Sequence, residues 1–346
     1  MNRIVFSIAS LLLVLVIAAD CSGYAAPDAP HDTPPDTTFA DGLWASSGDR
    51  TAILRLSSSQ LVASAAITPA TAITSRSALL EGFNSVAFDA EGTLWVTSQT
   101  DSLLIAFRRP ALASSGARVA SRVISSSGES LTSPVALAFD ALHALWVANT
   151  IEGTIVRFDS AQLAAGGAQT PSVILSGAGH PAGLAFDADG GLWFSEGNAH
   201  RIAKYSAAQL QASGRLIPQV VLTSNGPDLT NPAGLAFDRA GNLWVANAGL
   251  LNVVEIQANH LATTGFVYAD VVLSPPAGFS SLPLGVTFDD HENLWVVYAE
   301  GTLTRYDHAV LSASRAPAPA VSVSINDHSQ LRNAAFWPRP VGLPLQ

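Results

Sequence analysis

The dipeptide Leu-Trp returns six times, ending at Trp44, Trp95, Trp146, Trp193, Trp244 and Trp295, with spacings of 51, 51, 47, 51 and 51 residues. A period near fifty, held over most of the chain, implies one supersecondary unit repeated in an array. Two further markers keep the same phase. Ala-Phe-Asp or Thr-Phe-Asp triplets end at Asp89, Asp140, Asp187, Asp238 and Asp289. A leucine recurs at 61, 112, 163, 210, 261 and 311, commonly inside a Ser-x-x-Gln-Leu or Ser-Ala-Gln-Leu phrase.

The unit is most legible between Pro181 and Leu222. Gly183-Leu-Ala-Phe-Asp187 predicts a short apolar strand, and Asp187-Ala-Asp-Gly-Gly191 a tight turn. There Asp supplies side-chain bonds and Gly the positive φ that such a turn requires. Leu192–Ser195 and Arg201–Tyr205 predict the second and third strands, Ser206 caps a short helical turn, and Pro218–Leu222 predicts the fourth. Four short antiparallel strands per fifty residues describe a propeller blade. Blades bury both faces, so adjacent residues such as Leu192 and Trp193 can both be core, and the tryptophans are read as packing residues rather than ligand platforms.

The chain ends fit a closed ring. Leu43-Trp44 has no Phe-Asp strand before it, and Leu331–Trp337 reads as that missing strand. The expected fold is therefore all-β: a six-bladed propeller of four-stranded antiparallel blades, closed by a C-terminal strand that completes the N-terminal blade and removes exposed sheet edges. The phrases Pro-Ala-Gly-Leu-Ala-Phe-Asp and Gly-Asn-Leu-Trp-Val-Ala-Asn resemble the NHL-repeat family. They are similar also to the wider six-bladed group of gluconolactonases, strictosidine-synthase-like proteins and virginiamycin B lyase. The resemblance covers roughly residues 40–337 and implies an architecture. It leaves activity open, since that group holds enzymes, ligand binders and interaction scaffolds.

Arg3 followed by an apolar run from Ile4 to Ala19 is too short for a membrane span and fits a signal peptide over residues 1–20. Ala18-Ala19-Asp20-Cys21 resembles a bacterial lipobox, with Cys21 as the lipidated mature N-terminus. Cys21 is also the only cysteine, so no internal disulfide is available. Residues 21–38, rich in Pro, Asp and Thr, read as a linker, and 39–346 as the propeller. The expectation is an exported, outer-membrane or cell-surface lipoprotein, or else a periplasmic or secreted protein, working as a monomer with its membrane attachment through lipid only. A net charge of −10 with a single lysine, Lys204, argues against a nucleic-acid partner.

No Gly-x-Ser-x-Gly elbow, His-Glu-x-x-His pair or phosphate-cradling loop is present. The position three residues after each Leu-Trp tryptophan reads Ser47, Ser98, Asn149, Glu196, Asn247 and Tyr298. It ends the second strand of each blade, at the expected mouth of a central channel. Asn149, Glu196 and Asn247 fall on neighbouring blades, and oxygen donors converging there suit Ca²⁺ or another divalent cation. The resemblance implies the same, since gluconolactonases hold a divalent ion with Glu, Asn and Asp. The alternative is that these side chains satisfy strand-end backbone groups. Loops on that face bring His180, Asp228, Asn231, Arg332 and Asn333 nearby, and with Tyr298 these are the candidate binding residues. The leading expectation is a binding scaffold for a protein or small molecule. Its rival is a metal-dependent hydrolase or lyase around Glu196.

Overall fold

The computed structural model describes residues 41–343, apart from 50, 77–81, 129, 225–227, 276–278, 313, 315 and 327–329. Cys21 and the segments expected to be signal and linker lie outside the described residues. The chain divides into two units, 1–37 and 38–346, and everything below concerns the second.

Among the described residues the strands form six sheets arranged as six blades. In the fourth, Pro181–Phe186, Leu192–Glu196, Arg201–Tyr205 and Val220–Thr223 run antiparallel from the centre outward. The other blades repeat this order. In the first, the innermost strand is Leu331–Trp337, paired with Gly42–Ser47 so that Leu43 faces Phe336 and Trp44 faces Ala335. This is the closure expected from the chain ends.

Five blades carry a fifth strand, which corrects the expectation of four. Gly116–Arg118, Gly167–Gln169, Gly214–Arg215, Gly265–Phe266 and Ala65–Ile67 each add in parallel to the outer strand of the preceding blade. Each comes from the excursion between the third and fourth strands of its own blade. Ala65–Ile67 from the first blade covers Val321–Ile325 of the sixth, so the ring closes at its outer edge as well as at its centre. Pairing these edges removes open templates for aggregation.

The three sequence markers have physical causes. The Phe-Asp carboxylate closes the turn that follows it: Asp187 Oδ1 accepts the N–H groups of Asp189 and Gly191 at 3.1 and 2.8 Å. Its other oxygen accepts the indole N–H of Trp193 at 2.7 Å. The same bond joins Asp89 to Trp95, Asp140 to Trp146, Asp238 to Trp244 and Asp289 to Trp295, at 2.9–3.1 Å. The indoles of Trp44, Trp146, Trp193, Trp244 and Trp295 meet the Phe of the next blade edge-on. Trp193 and Phe237 have ring centroids 6.2 Å apart, and Trp295 reaches Phe336 of the closing strand at 6.0 Å. These tryptophans are at most 3% exposed, and the recurring leucines at 61, 112, 163, 210, 261 and 311 are buried. One Trp per blade thus seals the wedge between neighbours, at a favourable aromatic geometry.

Candidate functional site

Successive side chains on a strand point to opposite faces, so residues two apart on the innermost strands share the channel face. At the end where these strands begin, called here the upper mouth, that face presents Asn84, Val135, Ala182, Ala233, Leu284 and Arg332, one from each blade. The cavity there measures about 200 Å³. Two residues deeper come Val86, Leu137, Leu184, Leu235, Val286 and Ala334, all buried. The waist of the channel is thus an apolar collar. Gly183, in the Pro-Ala-Gly-Leu phrase, allows close approach here, because a Cβ would collide with the Ala233 carbonyl of the next blade.

The strand-end positions Ser47, Ser98, Asn149, Glu196, Asn247 and Tyr298 are no more than 2% exposed. The expectation that they open onto the mouth of a central channel is corrected: they are sealed beneath the loops that enter the innermost strands. Asn149 Oδ1 accepts the Thr132 N–H at 3.2 Å, while its Nδ2 donates to the Ser130 carbonyl and to Thr154 Oγ1. Asn247 repeats this, accepting the Thr230 N–H at 2.6 Å and donating to the Asp228 carbonyl and Asn252 Oδ1. Glu196 Oε1 accepts the N–H of Gly179, and its Oε2 pairs with Arg201 Nε. In all three cases the accepted N–H lies 17 residues upstream. Three different side chains therefore perform one task, fastening the incoming loop to the end of the second strand.

The electrostatics agree. The hydrogen bond that Arg201 donates to Glu196 raises its guanidinium pKa above the ordinary range. Burial, and then the Glu196 charge, push the Tyr205 hydroxyl up to about 12. A hard cation needs several oxygens with free lone pairs and uncompensated charge. Here the amide oxygens face N–H donors and the carboxylate is neutralised by Arg201, so the set as arranged does not fit a divalent ion. Among the described residues no group of three or more His, Cys, Asp or Glu side chains is placed to hold a metal.

The other candidate residues divide between rim and interior. His180 is exposed and donates from Nδ1 to the Thr150 carbonyl of the preceding blade at 2.8 Å. Asn231, also exposed, donates its backbone N–H to His200 Nδ1 at 2.9 Å. Asp228 contributes its carbonyl to Asn247. Tyr298 is interior, edge-on to Phe279 at 4.6 Å, and burial raises its hydroxyl pKa. Asn333 lies in the channel wall, held through its backbone by Ser46 Oγ. Among the described residues that line this cavity, Arg332 is the one with a cationic side chain. Asn84, beside it and bonded to Gln99 at 2.8 Å, was not singled out from the sequence. Comparing the Arg332 position across the repeats would have found it.

Comparison with known proteins places this architecture. A catalytically inactive form of virginiamycin B lyase from Staphylococcus aureus, with quinupristin, is 15% identical at a TM-score of 0.52, over 75% of this chain and 74% of that one. A chain of a nidogen/laminin complex is also 15% identical, at a TM-score of 0.57, covering 86% of this chain and 98% of that one. A Bacteroides caccae protein of unknown function is 10% identical at 0.59, with the same coverage. At such identities these likenesses carry the fold alone. No curated protein matches the sequence. The profile described as SMP-30/Gluconolactonase/LRE-like region matches residues 33–213, just over half of the chain. By that match the chain belongs to the SMP-30/gluconolactonase/LRE-like family of β-propellers.

Proposed function

We propose that this protein is an exported binding module, which uses its upper face to hold a protein or small-molecule ligand and performs no chemistry there. The observation that carries this reading is the internal use of the strand-end ring. The side chains best suited to ligate a metal or act as a base are spent on backbone N–H groups 17 residues away. What remains at the mouth is an apolar rim of Val135, Ala182, Ala233 and Leu284 beside Asn84 and Arg332. Such a surface supplies contact area and a few orienting polar groups, as binding pockets do.

The family name favours a second reading, a metal-dependent hydrolase or lyase centred on Glu196. Screening the full chain against lactones and esters, with and without added Ca²⁺, separates the two. The binding reading expects no turnover above the uncatalysed rate. Ca²⁺-dependent turnover that disappears in Glu196→Gln would establish the enzyme.

The location is part of the same proposal. Residues 1–20 are the signal segment, Cys21 carries the lipid and residues 21–38 space the propeller from the membrane. Cys21→Ser should move the protein from the detergent phase to the aqueous phase. Unchanged partitioning would remove the anchor from the account.

A further inference from the structure

The lower end of the channel differs from the upper one. A cavity of about 320 Å³ opens there below the collar, walled by Val86, Leu137, Leu184, Leu235 and Val286, with Phe88, Phe288 and Phe336 nearer the rim. The C-terminal segment 338–343 lies along this rim. It is held by Arg239, whose Nη2 donates to the Val341 carbonyl at 2.8 Å and whose Nη1 pairs with Glu292 at 2.8 Å. Arg339 of this segment lines the cavity.

Arg339 is placed at a cost. Its Nη1 is buried with no hydrogen-bond partner among the described residues. Burial depresses its pKa, and Asp89 is the carboxylate whose field reaches it. Asp89 is otherwise occupied, accepting the N–H groups of Glu91 and Thr93 and the indole of Trp95. A guanidinium in an apolar setting without a hydrogen-bonded counter-charge is unfavourable, and an anion that fills its free donors relieves this. Apart from Thr287, Asn333 and the Trp337 indole, the other side chains of the wall are hydrocarbon, and the body attached to that anion meets the collar side chains, so an apolar tail fits there. A monoanion neutralises the single charge, whereas a phosphate dianion would leave excess negative charge against hydrocarbon. The volume suits a ligand of medium size.

We infer that the lower mouth binds a medium-chain organic carboxylate, its head group on the Arg339 guanidinium and its tail against the collar of Val86, Leu137, Leu184, Leu235 and Val286. The site lies at the opposite end of the channel from the proposed binding face. It holds whether or not the upper face proves catalytic, and its test is independent of any turnover assay.

The test is calorimetric titration and thermal melting of the full-length chain with dodecanoate, dodecanol and acetate. Dodecanoate should bind one per chain and raise the melting temperature. Dodecanol, lacking the charge, and acetate, lacking the tail, should each bind at least about tenfold more weakly, the scale of one lost charged hydrogen-bond pair. Arg339→Met should weaken dodecanoate by a similar factor, and Arg339→Lys by less. Without ligand, Arg339→Met should melt no lower than the original, since it removes a half-buried guanidinium whose Nη1 has no hydrogen-bond partner. Failure of dodecanoate to bind, equal binding to Arg339→Met, or acetate binding as tightly as dodecanoate would overturn the inference. So would a marked loss of stability in ligand-free Arg339→Met, because that would make the guanidinium a structural fastening of the C-terminal segment.

Discussion

The Asp187 carboxylate accepts the indole N–H of Trp193 at 2.7 Å across the turn that joins the two innermost strands of the fourth blade. The same oxygen also meets the ammonium of Lys204, the chain's only lysine, at 2.7 Å. One residue thus closes the turn, fixes the Trp rotamer between blades and pairs with a cation 5.4 Å from the indole centroid. Asp187→Asn puts an amide N–H against two donors. It should cost about 1–3 kcal/mol in chemical denaturation, the penalty of leaving buried polar groups unsatisfied. Trp193→Ala, which opens the interblade wedge itself, should cost about 3–5 kcal/mol. A loss for Asp187→Asn as large as that for Trp193→Ala would mean the carboxylate does more than orient the ring.

Closure through the C-terminus predicts that the last strand is indispensable. Deleting residues 331–346 strips Gly42–Ser47 of its inner partner and uncovers the first blade beside the channel. A lost innermost strand should exceed a stability margin of about 5–15 kcal/mol. The truncated chain should aggregate or lose its cooperative melt. Melting indistinguishable from the full chain would show that the ring does not depend on this strand.

Glu255 breaks the pattern of its blade. It faces Trp244, where the first, third, fourth and sixth blades place Arg55, Arg157, Lys204 and Arg305 against their tryptophans. Burial, then the charges of Asp238 and Asp270, raise its pKa from 4.5 to about 7. Between these values the folded protein keeps a proton that the unfolded chain has released, so stability falls as pH rises through this window and levels off above it. Glu255→Gln removes the titration. Its melting temperature relative to the original should therefore climb from about pH 4.5 to about pH 7 and then stay constant. A difference independent of pH would contradict the assignment.

Much of the ring was legible because its determinants are local. Phe-Asp, the turn and Leu-Trp lie within eight residues of one another, and burial on both faces writes them as apolar runs. The fifth strands were not legible. Gly116–Arg118 and Gly214–Arg215 are two or three residues long and largely exposed, so no hydrophobic pattern marks them. The strand-end ring was legible in position but not in role. Asn149, Glu196 and Asn247 announce polar side chains at a common place. Whether an oxygen faces a cation or an N–H depends on where a loop 17 residues upstream folds back. That loop also decides exposure, which is why an open channel mouth was expected where a sealed position is found.

Glu196 separates a loop fastening from a metal site, and the most direct measurement compares the original chain with Glu196→Gln by calorimetric Ca²⁺ titration and metal-free melting. If Glu196 fastens Gly179 and Arg201, neither protein should take up Ca²⁺ stoichiometrically. Glu196→Gln should melt lower without any metal, because the substitution breaks the pair between the buried Glu196 carboxylate and the partly exposed Arg201. Stoichiometric Ca²⁺ binding by the original, lost in a Glu196→Gln protein of unchanged metal-free stability, would contradict the account and return Glu196 to a metal site.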